Sequence, residues 1–276
     1  MRIIIIRHLV GIFHRTCYYL SKGIKPVWVF DGTPPLMKKE TLQKREKSKK
    51  DAENRYEEAL KNKNSELALK MFKRKARISA KMIEDSKEML KLLGVPIVVS
   101  PSEAEKQCAG MCKNGDAYGV ASEDMDTLAF GASKLIRNFN NSKEPITEID
   151  LNKLLECLEI SQDQFIDLSI LCGCDFAQTI KGIGPVKALN LIKEFKCIEN
   201  IIPEIEKMNS DKKIKYVIPT NFDYKLCREI FNKSDSCKTQ LSWNPPNVNG
   251  LHKLLVEDMS FSEVKFQNGI KKMSVI

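Results

Sequence analysis

Residues 94–105 read GVPIVVSPSEAE, and their pattern is the clearest indication of the fold class. The apolar run Val95–Val99 has the length and the β-branched content of a buried strand. A helix over residues 102–113 is predicted to follow it. Glu103 and Glu105 therefore lie at the start of that helix, just after the carboxyl end of a strand, which is where α/β proteins bind their ligands.

The same order of strand and acidic residue occurs in two other places. Pro26–Phe30 is predicted to be a buried strand that ends in the turn Asp31-Gly-Thr-Pro-Pro35. Tyr118–Ala121 is predicted to be a third strand, which ends in Ser122-Glu-Asp-Met-Asp126, and Lys134–Phe139 is predicted to be a fourth. The carboxylates that follow these strands are Asp31, Glu103, Glu105, Asp124 and Asp126.

Strands that alternate with helices indicate an α/β fold with a mostly parallel sheet flanked by helices. Leu36–Leu93 is long, highly charged and free of Gly and Pro, and it is predicted to form two helices that project into solvent. After Asp150 the pattern is helical, with a glycine-rich interruption at residues 181–185. We expect an α/β core over residues 1–140 and a helical region over residues 141–276 that completes it.

Carboxylates at neighbouring strand ends repel one another unless cations neutralise them. Their hard oxygen atoms suit Mg²⁺ or Mn²⁺. With Mg²⁺, the expected chemistry is phosphoryl transfer or phosphodiester hydrolysis by a pair of metal ions. Asp175, in Cys172-Gly-Cys-Asp-Phe176, is a sixth member of the set, and the nearby glycine allows close approach by a DNA strand.

Each of these carboxylates also has a purely structural interpretation. Ser102 and Glu105 match a capping box. Asp31 before a glycine suits a turn, and Asp124 or Asp126 suits a helix cap. The metal interpretation is favoured for the set, because coincidence across all of its members is harder to accept.

The charge of the chain favours a polyanionic partner. Among 276 residues, 45 Lys and Arg against 36 Asp and Glu give a formal charge of +9. The basic residues crowd into Lys38–Lys50 and Lys70–Lys81. The nine cysteines accompany neither a signal peptide nor an apolar run of about 18 residues, so we expect reduced thiols, an intracellular location and no membrane segment.

Residues 180–195 are predicted to bind phosphate. Ile180-Lys-Gly-Ile-Gly-Pro-Val-Lys-Ala188 joins two helical stretches through a tight turn that exposes backbone amides at a helix N-terminus. An ordinary glycine-containing link between helices is the alternative. The flanking lysines favour non-specific contact with a duplex backbone, and the residues assigned to it are Lys181, Gly182, Gly184 and Lys187.

Lys38 and Arg45 are predicted to act together. They are seven residues apart, about two helical turns, and so share one face of the helix that follows Asp31. Solvated charge is the default for most of residues 44–81. The closeness of the pair to the Asp31 turn favours a clamp on the scissile phosphate.

Five motifs follow one another along the chain. They are Phe30-Asp-Gly-Thr-Pro-Pro35, Pro101-Ser-Glu-Ala-Glu105, Ser122-Glu-Asp-Met-Asp126, Gly173-Cys-Asp175 and Ile180-Lys-Gly-Ile-Gly-Pro185. Their order and spacing are similar to those of the flap endonucleases. The chain therefore resembles a eukaryotic flap endonuclease of the XPG-type structure-specific 5′ nuclease family, from about His8 to Met273. The resemblance implies a PIN-like α/β nuclease core, a helical arch over residues 36–93 and a C-terminal helical DNA-binding region.

The resemblance also assigns roles residue by residue. The ligands implied for one Mg²⁺ are Asp31, Glu103 and Glu105. Those implied for a second Mg²⁺, which Mn²⁺ can replace, are Asp124, Asp126 and Asp175. Lys38 and Arg45 match the catalytic basic pair at the base of the arch. The DNA-binding residues implied, with K⁺ at the hairpin, are Arg15, Glu103, Gly173, Asp175, Lys181, Gly182, Gly184 and Lys187.

The activity implied by the resemblance is that of a metal-dependent phosphodiester hydrolase, a flap endonuclease and 5′-3′ exodeoxyribonuclease. Such enzymes trim branched or flapped DNA during Okazaki fragment maturation in replication and during long-patch base excision repair. The protein is expected to be a monomer and to be located in the nucleus, with a second pool in mitochondria allowed by the resemblance.

The chain departs from the pattern of this family at both ends. The family begins with further residues that include a first strand, another metal-binding aspartate and an aromatic residue that stacks on DNA, whereas Met1–Ile6 offers no carboxylate. The glutamine-and-double-phenylalanine peptide that docks on the sliding clamp PCNA does not occur before Ile276. The chain is therefore expected to be N-terminally shortened. A catalytically impaired DNA-binding remnant is the alternative function, and a related repair or RNA-degrading nuclease is a third.

Overall fold

The computed structural model describes residues 7–75, 78–139, 144–210, 216–233 and 240–273. The chain divides into two compact units, each made of separate segments of the sequence. The first unit comprises Met1–Phe30, Arg45–Val99 and Thr239–Ile276, and the second comprises Asp31–Lys44 and Ser100–Lys238. The predicted boundary between residues 140 and 141 lies outside the described residues and stays a prediction.

Helices supply most of the described structure. In chain order they are α1 (Arg7–Ser21), α2 (Lys39–Lys61), α3 (Ser65–Lys75), α4 (Ala80–Leu92), α5 (Ala104–Lys113), α6 (Asp126–Ala129), α7 (Leu151–Leu158), α8 (Gln162–Cys172), α9 (Pro185–Phe195), α10 (Ile198–Ser210), α11 (Tyr224–Asn232), α12 (Val248–His252) and α13 (Glu263–Met273). Leu36–Lys38 forms a 3₁₀ turn before α2, and Lys253–Asp258 continues α12 as a π-helix. Within the described ranges, none of these helices combines the length and the apolar content that crossing a bilayer requires.

The core of the first unit lies where α1 packs against α4 and α13. Apolar residues recur at helical spacing along α1, so Leu9 and Phe13 share one face and are fully buried. Phe13 stacks on Phe266 of α13, with ring centres 5.9 Å apart. Gly269 leaves room for this contact, because a Cβ there would lie 2.3 Å from the Phe13 ring.

The sequence predicts two projecting helices over residues 36–93, and this number of helices is wrong. Among the described residues of this segment, the structure has three α-helices, α2, α3 and α4. After α2, Lys63 adopts a left-handed φ of 53°, and the Asn64 side chain accepts a hydrogen bond from the Leu67 amide at 3.0 Å. These polar residues end one helix and cap the next without the Gly or Pro that usually marks such a break.

The last of these helices, α4, packs one face into a core instead of projecting. Met89 and Leu90 are fully buried in the core of the first unit. Ser79 caps the helix by accepting a hydrogen bond from the Met82 amide at 3.2 Å. The charged segment therefore ends in a core helix, because its apolar residues fall on one face despite the many Lys and Glu residues between them.

The strands are short, and within the described residues they form two separate sheets. In the first unit, β1 (Trp28–Phe30) pairs parallel with β2 (Ile97–Val99). In the second unit, β3 (Val120–Ala121) pairs parallel with β4 (Lys134–Arg137), and β4 pairs antiparallel with β5 (Thr147–Asp150). The α/β class and the mostly parallel pairing are confirmed, whereas β5 is an addition that the sequence pattern does not predict.

The core of the second unit is built around α8. This helix packs against α9 and α11 and buries Ile170 completely. Phe130, Phe176 and Phe231 form an aromatic cluster with ring centres 4.9 to 6.1 Å apart. The cluster joins α11 to the loop after α8, so it holds in place the loop that carries Asp175.

An ion network links α8, α10 and α11 in the second unit. Arg228 donates to both carboxylate oxygens of Asp167, at 2.5 and 2.6 Å, and to those of Glu199, at 2.7 Å. Asp167 is 2% exposed and also accepts a hydrogen bond from the Ile198 amide at 3.1 Å. The hydrogen bond from Arg228 is the main reason that the pKa of Glu199 falls to about 2.

Replacing Glu199 with glutamine is expected to lower the free energy of unfolding by about 1 to 2 kcal/mol at pH 7, and by less than half as much at pH 3. Because the pKa of Glu199 falls from 4.5 to about 2, its ionised form stabilises the fold above pH 4.5, and this contribution is lost as the pH falls toward 2. Urea unfolding at both pH values measures the difference, with Glu206→Gln on α10 as an exposed control. An equal loss at both pH values would contradict the ionic explanation.

Candidate metal centre

Three predicted carboxylates come together in the second unit. Asp31 follows β1 directly, Glu103 is the N-cap residue of α5, and Glu105 lies in the first turn of that helix. One oxygen atom from each side chain lies within 4.8 Å of those from the other two. The structure therefore assembles the group that the resemblance assigns to the first metal ion.

A hydrogen bond to the backbone of α5 holds Asp31 in place. Its Oδ1 accepts from the Ala104 amide at 2.9 Å, so Asp31 satisfies a free amide at a helix start that is distant in sequence. The Gly32 amide donates to the Ser102 carbonyl at 2.7 Å. A Cβ on Gly32 would lie 1.9 Å from the Ser100 carbonyl oxygen, which explains the glycine after the aspartate.

The interpretation of Ser102 and Glu105 as a capping box is wrong. Glu103 is the N-cap residue of α5, and its side chain makes no capping hydrogen bond to the start of the helix. Ser100 orders this loop instead, because its Oγ donates to the Glu103 carbonyl at 2.9 Å and accepts from the Ser102 amide at 3.1 Å. Sequence reasoning missed Ser100, although a serine at the end of a strand and next to the motif is the signal that marks it.

Asp124 and Asp126 follow β3 as predicted. The Oδ1 atom of Asp124 accepts a hydrogen bond from the Asp126 amide at 2.9 Å, and Asp126 is the first residue of α6. Asp124 thus orders the turn before α6, whereas the N-cap residue of that helix is Met125 and not Asp124 or Asp126, as the structural interpretation had it. That role leaves other carboxylate lone pairs free to bind a cation.

Burial and mutual repulsion raise pKa values in this group. The pKa of Asp126 rises to about 7, first because its side chain is buried and then because Asp124 and Asp175 are nearby. Burial is likewise the main reason that the pKa of Glu105 is raised, with smaller contributions from Asp31 and Asp124. The carboxylates are therefore close enough to repel one another, and a bound cation would relieve that repulsion.

Lys38 lies among these carboxylates. Its Nζ forms salt bridges with Glu103 and with Asp175, whose Oδ2 is 3.2 Å away. Burial lowers the pKa of Lys38, but hydrogen bonds and the negative charges of Glu103 and Asp175 outweigh it and raise that pKa. Thr41, which sequence reasoning did not single out, donates to the Asp175 carbonyl at 3.0 Å.

The donor set fits a hard divalent cation. The side-chain donors of the group are carboxylate oxygens, which Mg²⁺ and Mn²⁺ prefer. The ammonium group of Lys38 bridges two of these carboxylates, so the group already attracts positive charge. All six predicted ligands belong to the second unit, namely Asp31, Glu103, Glu105, Asp124, Asp126 and Asp175.

The other two predicted basic residues belong to the first unit. Arg15 is exposed on α1, and Arg45 is exposed on α2. Lys38 is the last residue of the 3₁₀ turn, so the helix that was expected to carry both Lys38 and Arg45 begins one residue after Lys38. The joint role of Lys38 and Arg45 stays a prediction.

Gly173 ends α8 with a backbone conformation that other residues rarely adopt. Its φ is 103°, and a Cβ there would lie 2.4 Å from Cγ2 of Thr179. The residue is exposed and is two positions before Asp175. This geometry leaves the backbone open to a ligand, and contact with DNA stays a prediction.

The glycine hairpin forms the predicted tight turn before a helix. Gly182 has a φ of 95°, Gly184 is the N-cap residue of α9, and Pro185 is the first residue of that helix. Ile183 is buried between the two exposed glycines and anchors the turn. Backbone amides at this helix start are therefore open to an anion.

A segment distant in sequence contacts the hairpin and stabilises it. The Lys181 amide donates to the Val217 carbonyl at 3.1 Å, and the Lys181 side chain is exposed. The Nζ atom of Lys187 lies 4.1 Å from the centre of the buried Tyr216 ring, in a cation–π contact. The spacing of residues along the chain gives no signal for this pairing, so sequence reasoning missed Tyr216.

Comparison with known proteins agrees with this fold. The XPG N-terminal domain matches residues 4–52, and the XPG I-region matches residues 94–175. The chain is 46% identical to flap endonuclease 1-1 of Paramecium tetraurelia, over 97% of this chain and 70% of that protein. It is 44% identical to flap endonuclease 1-A of Sorghum bicolor, over 96% of this chain and 70% of that protein.

Solved structures share the same fold. Flap endonuclease-1 from Methanococcus jannaschii superposes with a TM-score of 0.70 at 33% identity, over 96% of this chain and 80% of that one. The catalytic core of Rad2 in complex with a DNA substrate superposes with a TM-score of 0.75 at 23% identity, over 98% of this chain and 84% of that one. At that identity, the Rad2 match supports the fold alone.

The fold and the acidic group define a metal-dependent nuclease of the XPG class. The matches to relatives then narrow the class. The chain belongs to the flap endonuclease family. The alternative of a catalytically impaired DNA-binding remnant is not favoured, because relatives that match over nearly the whole chain are named endonucleases.

Proposed function

We propose that the protein is a structure-specific 5′ flap endonuclease, with 5′-3′ exonuclease activity, that hydrolyses a phosphodiester bond in flapped DNA with the help of two Mg²⁺ ions. The observation that carries this proposal is the convergence of Asp31, Glu103 and Glu105, with Lys38 bound to one of them. Carboxylates grouped in this way bind hard divalent cations, and phosphodiester hydrolysis is the chemistry that such cations support.

Hydrogen bonds between side chains and the backbone hold two of the acidic residues in place. Asp31 is fixed by the Ala104 amide, and the backbone of Asp175 is fixed by Thr41. When bound, the two ions would act as Lewis acids toward a phosphoryl oxygen. They would also make a hydroxide nucleophile available at neutral pH. Mn²⁺ has similar ligand preferences and is expected to substitute. The ligands proposed are, for the first ion, Asp31, Glu103 and Glu105 and, for the second, Asp124, Asp126 and Asp175.

Lys38 is proposed to contact the scissile phosphate. Its ammonium group is half-buried beside Glu103 and Asp175, so a phosphate oxygen bound there would meet a positive charge that is already positioned. Arg45 is proposed to contact the same phosphate from α2, with a planar guanidinium that can bind two of its oxygen atoms.

DNA contacts are proposed at three further places. Arg15 on α1 and the exposed backbone at Gly173 would each meet a phosphate strand. The glycine hairpin would bind the downstream duplex through amides at the start of α9 and through its lysines. K⁺ at the hairpin is proposed from the resemblance. The residues proposed for DNA binding are Arg15, Glu103, Gly173, Asp175, Lys181, Gly182, Gly184 and Lys187.

The cellular setting is also a proposal that rests on the family. We place the protein in the nucleus, with a mitochondrial pool, where it would act as a monomer in Okazaki fragment maturation and in long-patch base excision repair. The sliding clamp PCNA is a partner expected of the family. Its docking peptide does not occur among these 276 residues, so no described residue is assigned to the clamp.

The test is cleavage of a labelled DNA substrate with a 5′ single-stranded flap. With Mg²⁺, the protein is expected to cut near the junction between flap and duplex, to shorten a matched duplex without a flap from its 5′ end more slowly, and to stop cutting when EDTA is added. Binding without cleavage under saturating Mn²⁺ would contradict the proposal and would restore the DNA-binding remnant as the better hypothesis.

A further inference from the structure

Two cysteine side chains touch beside the acidic group. The Sγ atoms of Cys174 and Cys227 are 3.5 Å apart, although the residues are 53 positions apart in sequence. Cys174 lies in the loop after α8, immediately before Asp175 and half-buried, whereas Cys227 is fully buried in α11. We propose that this thiol pair is a redox-modifiable site, in which oxidation to a disulfide displaces Asp175 and weakens metal binding.

The surroundings of the two sulfur atoms keep them in contact. Cys174 forms a backbone bridge with Ala177, which closes the loop into a compact turn. The Phe176 ring packs against the Phe231 ring of α11, with centres 5.5 Å apart. The ring contact thus joins the loop to α11 next to the thiol pair, and the two thiols are already in contact in the reduced protein. A disulfide bond is about 2.0 Å long, so closing it requires the two sulfur atoms to approach by about 1.5 Å.

The oxidant that we propose is a peroxide, and the reaction balances with hydrogen peroxide. The Cys174 sulfur, which is the more exposed of the two, attacks one peroxide oxygen and becomes a sulfenic acid, while the other oxygen leaves and takes a proton as water. The Cys227 sulfur then attacks the sulfenic sulfur, forms the S–S bond and releases a second water. Two thiols lose two electrons to one peroxide, and a dithiol reductant reverses the change by exchange.

A shift at Cys174 would reach the metal centre through the next residue. The Asp175 carbonyl accepts the hydrogen bond from Thr41, and its carboxylate lies 3.2 Å from Nζ of Lys38. A misplacement of about 1 Å at a catalytic centre is enough to lower a rate by a factor on the order of a hundred. This consequence rests on the proposed function, in which Asp175 binds the second metal ion.

The experiment compares the reduced full chain with the chain treated with hydrogen peroxide. Peptide mapping by mass spectrometry identifies the crosslink, and electron paramagnetic resonance measures Mn²⁺ affinity without any need for cleavage. We expect a Cys174–Cys227 crosslink, Mn²⁺ affinity weakened by about tenfold, flap cleavage slowed by at least as much, and recovery of all three with dithiothreitol. Cys227→Ser and Cys174→Ser should keep the Mn²⁺ affinity of the reduced protein and lose the response to peroxide.

Cys172→Ser is the matched control, because Cys172 is exposed and only two residues from Cys174. It should respond to peroxide as the parent does. The proposal is overturned if peroxide gives no Cys174–Cys227 crosslink, if the crosslink leaves Mn²⁺ affinity unchanged, or if Cys227→Ser responds like the parent. A reduced protein that binds Mn²⁺ and cuts no flap would instead overturn the proposed function, because the crosslink and its effect on Mn²⁺ are measured separately.

Discussion

Replacing Asp126 with asparagine is expected to slow single-turnover cleavage of a 5′ flap by about a thousandfold or more, because loss of a metal-binding charge removes several kcal/mol of transition-state stabilisation. The same change is expected to stabilise the metal-free protein. Burial and neighbouring carboxylates raise the pKa of Asp126 from 3.8 to about 7, so its ionised form is unfavourable in the fold above pH 4. In EDTA, the gain in unfolding free energy should be about 2 kcal/mol at pH 8 and near zero at pH 3.

Cleavage kinetics with Mg²⁺ and urea unfolding in EDTA measure the two effects of Asp126→Asn. Asp116→Asn is the control, because Asp116 is exposed in the same unit and should change neither quantity. If Asp126→Asn cut the flap at the parent's rate, the assignment of Asp126 to a metal ion would fail. A variant that is inactive and also less stable at pH 8 would show that Asp126 supports the fold rather than the chemistry.

Replacing Lys38 with alanine is expected to slow single-turnover cleavage by on the order of a hundredfold while affinity for flapped DNA changes little. Lys38 is half-buried among carboxylates, where its charge is positioned for one phosphate rather than for the duplex as a whole. Lys181→Ala is the matched comparison, because Lys181 is exposed at the hairpin. It should weaken DNA binding, leave cleavage at saturation near normal, and lower the slope of log affinity against log salt by roughly 0.9.

Single-turnover rates at saturating enzyme and binding curves at several salt concentrations separate these two roles. Equal losses of rate and affinity in Lys38→Ala and Lys181→Ala would make Lys38 only one part of a general electrostatic surface. The catalytic assignment of Lys38, and with it that of Arg45, would then have to be withdrawn.

The convergence of Asp31, Glu103 and Glu105 was predictable from the sequence for a physical reason. Asp31 follows the apolar run of β1 directly, Glu103 and Glu105 come a few residues after that of β2, and parallel strands bring their carboxyl ends to the same edge. The observed pairing of β1 with β2 is parallel, so the residues after both strands meet. Local patterns carry such information because the strand, its end and the acidic residue are adjacent in the chain.

Contacts between distant residues could not be predicted in the same way. The hydrogen bond from Thr41 to Asp175 and the packing of Lys187 on Tyr216 depend on tertiary structure that no local pattern encodes. The end of α2 near Lys63 was missed because no Gly or Pro marks it. The left-handed backbone conformation of Lys63 ends the helix, and the Asn64 side chain caps the next one. The strand β5 was missed because two of its four residues, Glu148 and Asp150, are acidic, so it lacks the apolar run that marks a strand in the sequence.

The hydrogen bond from Ala104 to Asp31 has a consequence for the entropy of cation binding. It joins the residue after β1 to the first residue of α5, so the fold itself restrains the Asp31 carboxylate before any cation is present. Asp31, Glu103 and Glu105 would together hold an ion, and the ion would supply Lewis acidity toward a phosphate. Because Asp31 is already ordered, binding a cation would cost little further conformational entropy at this residue.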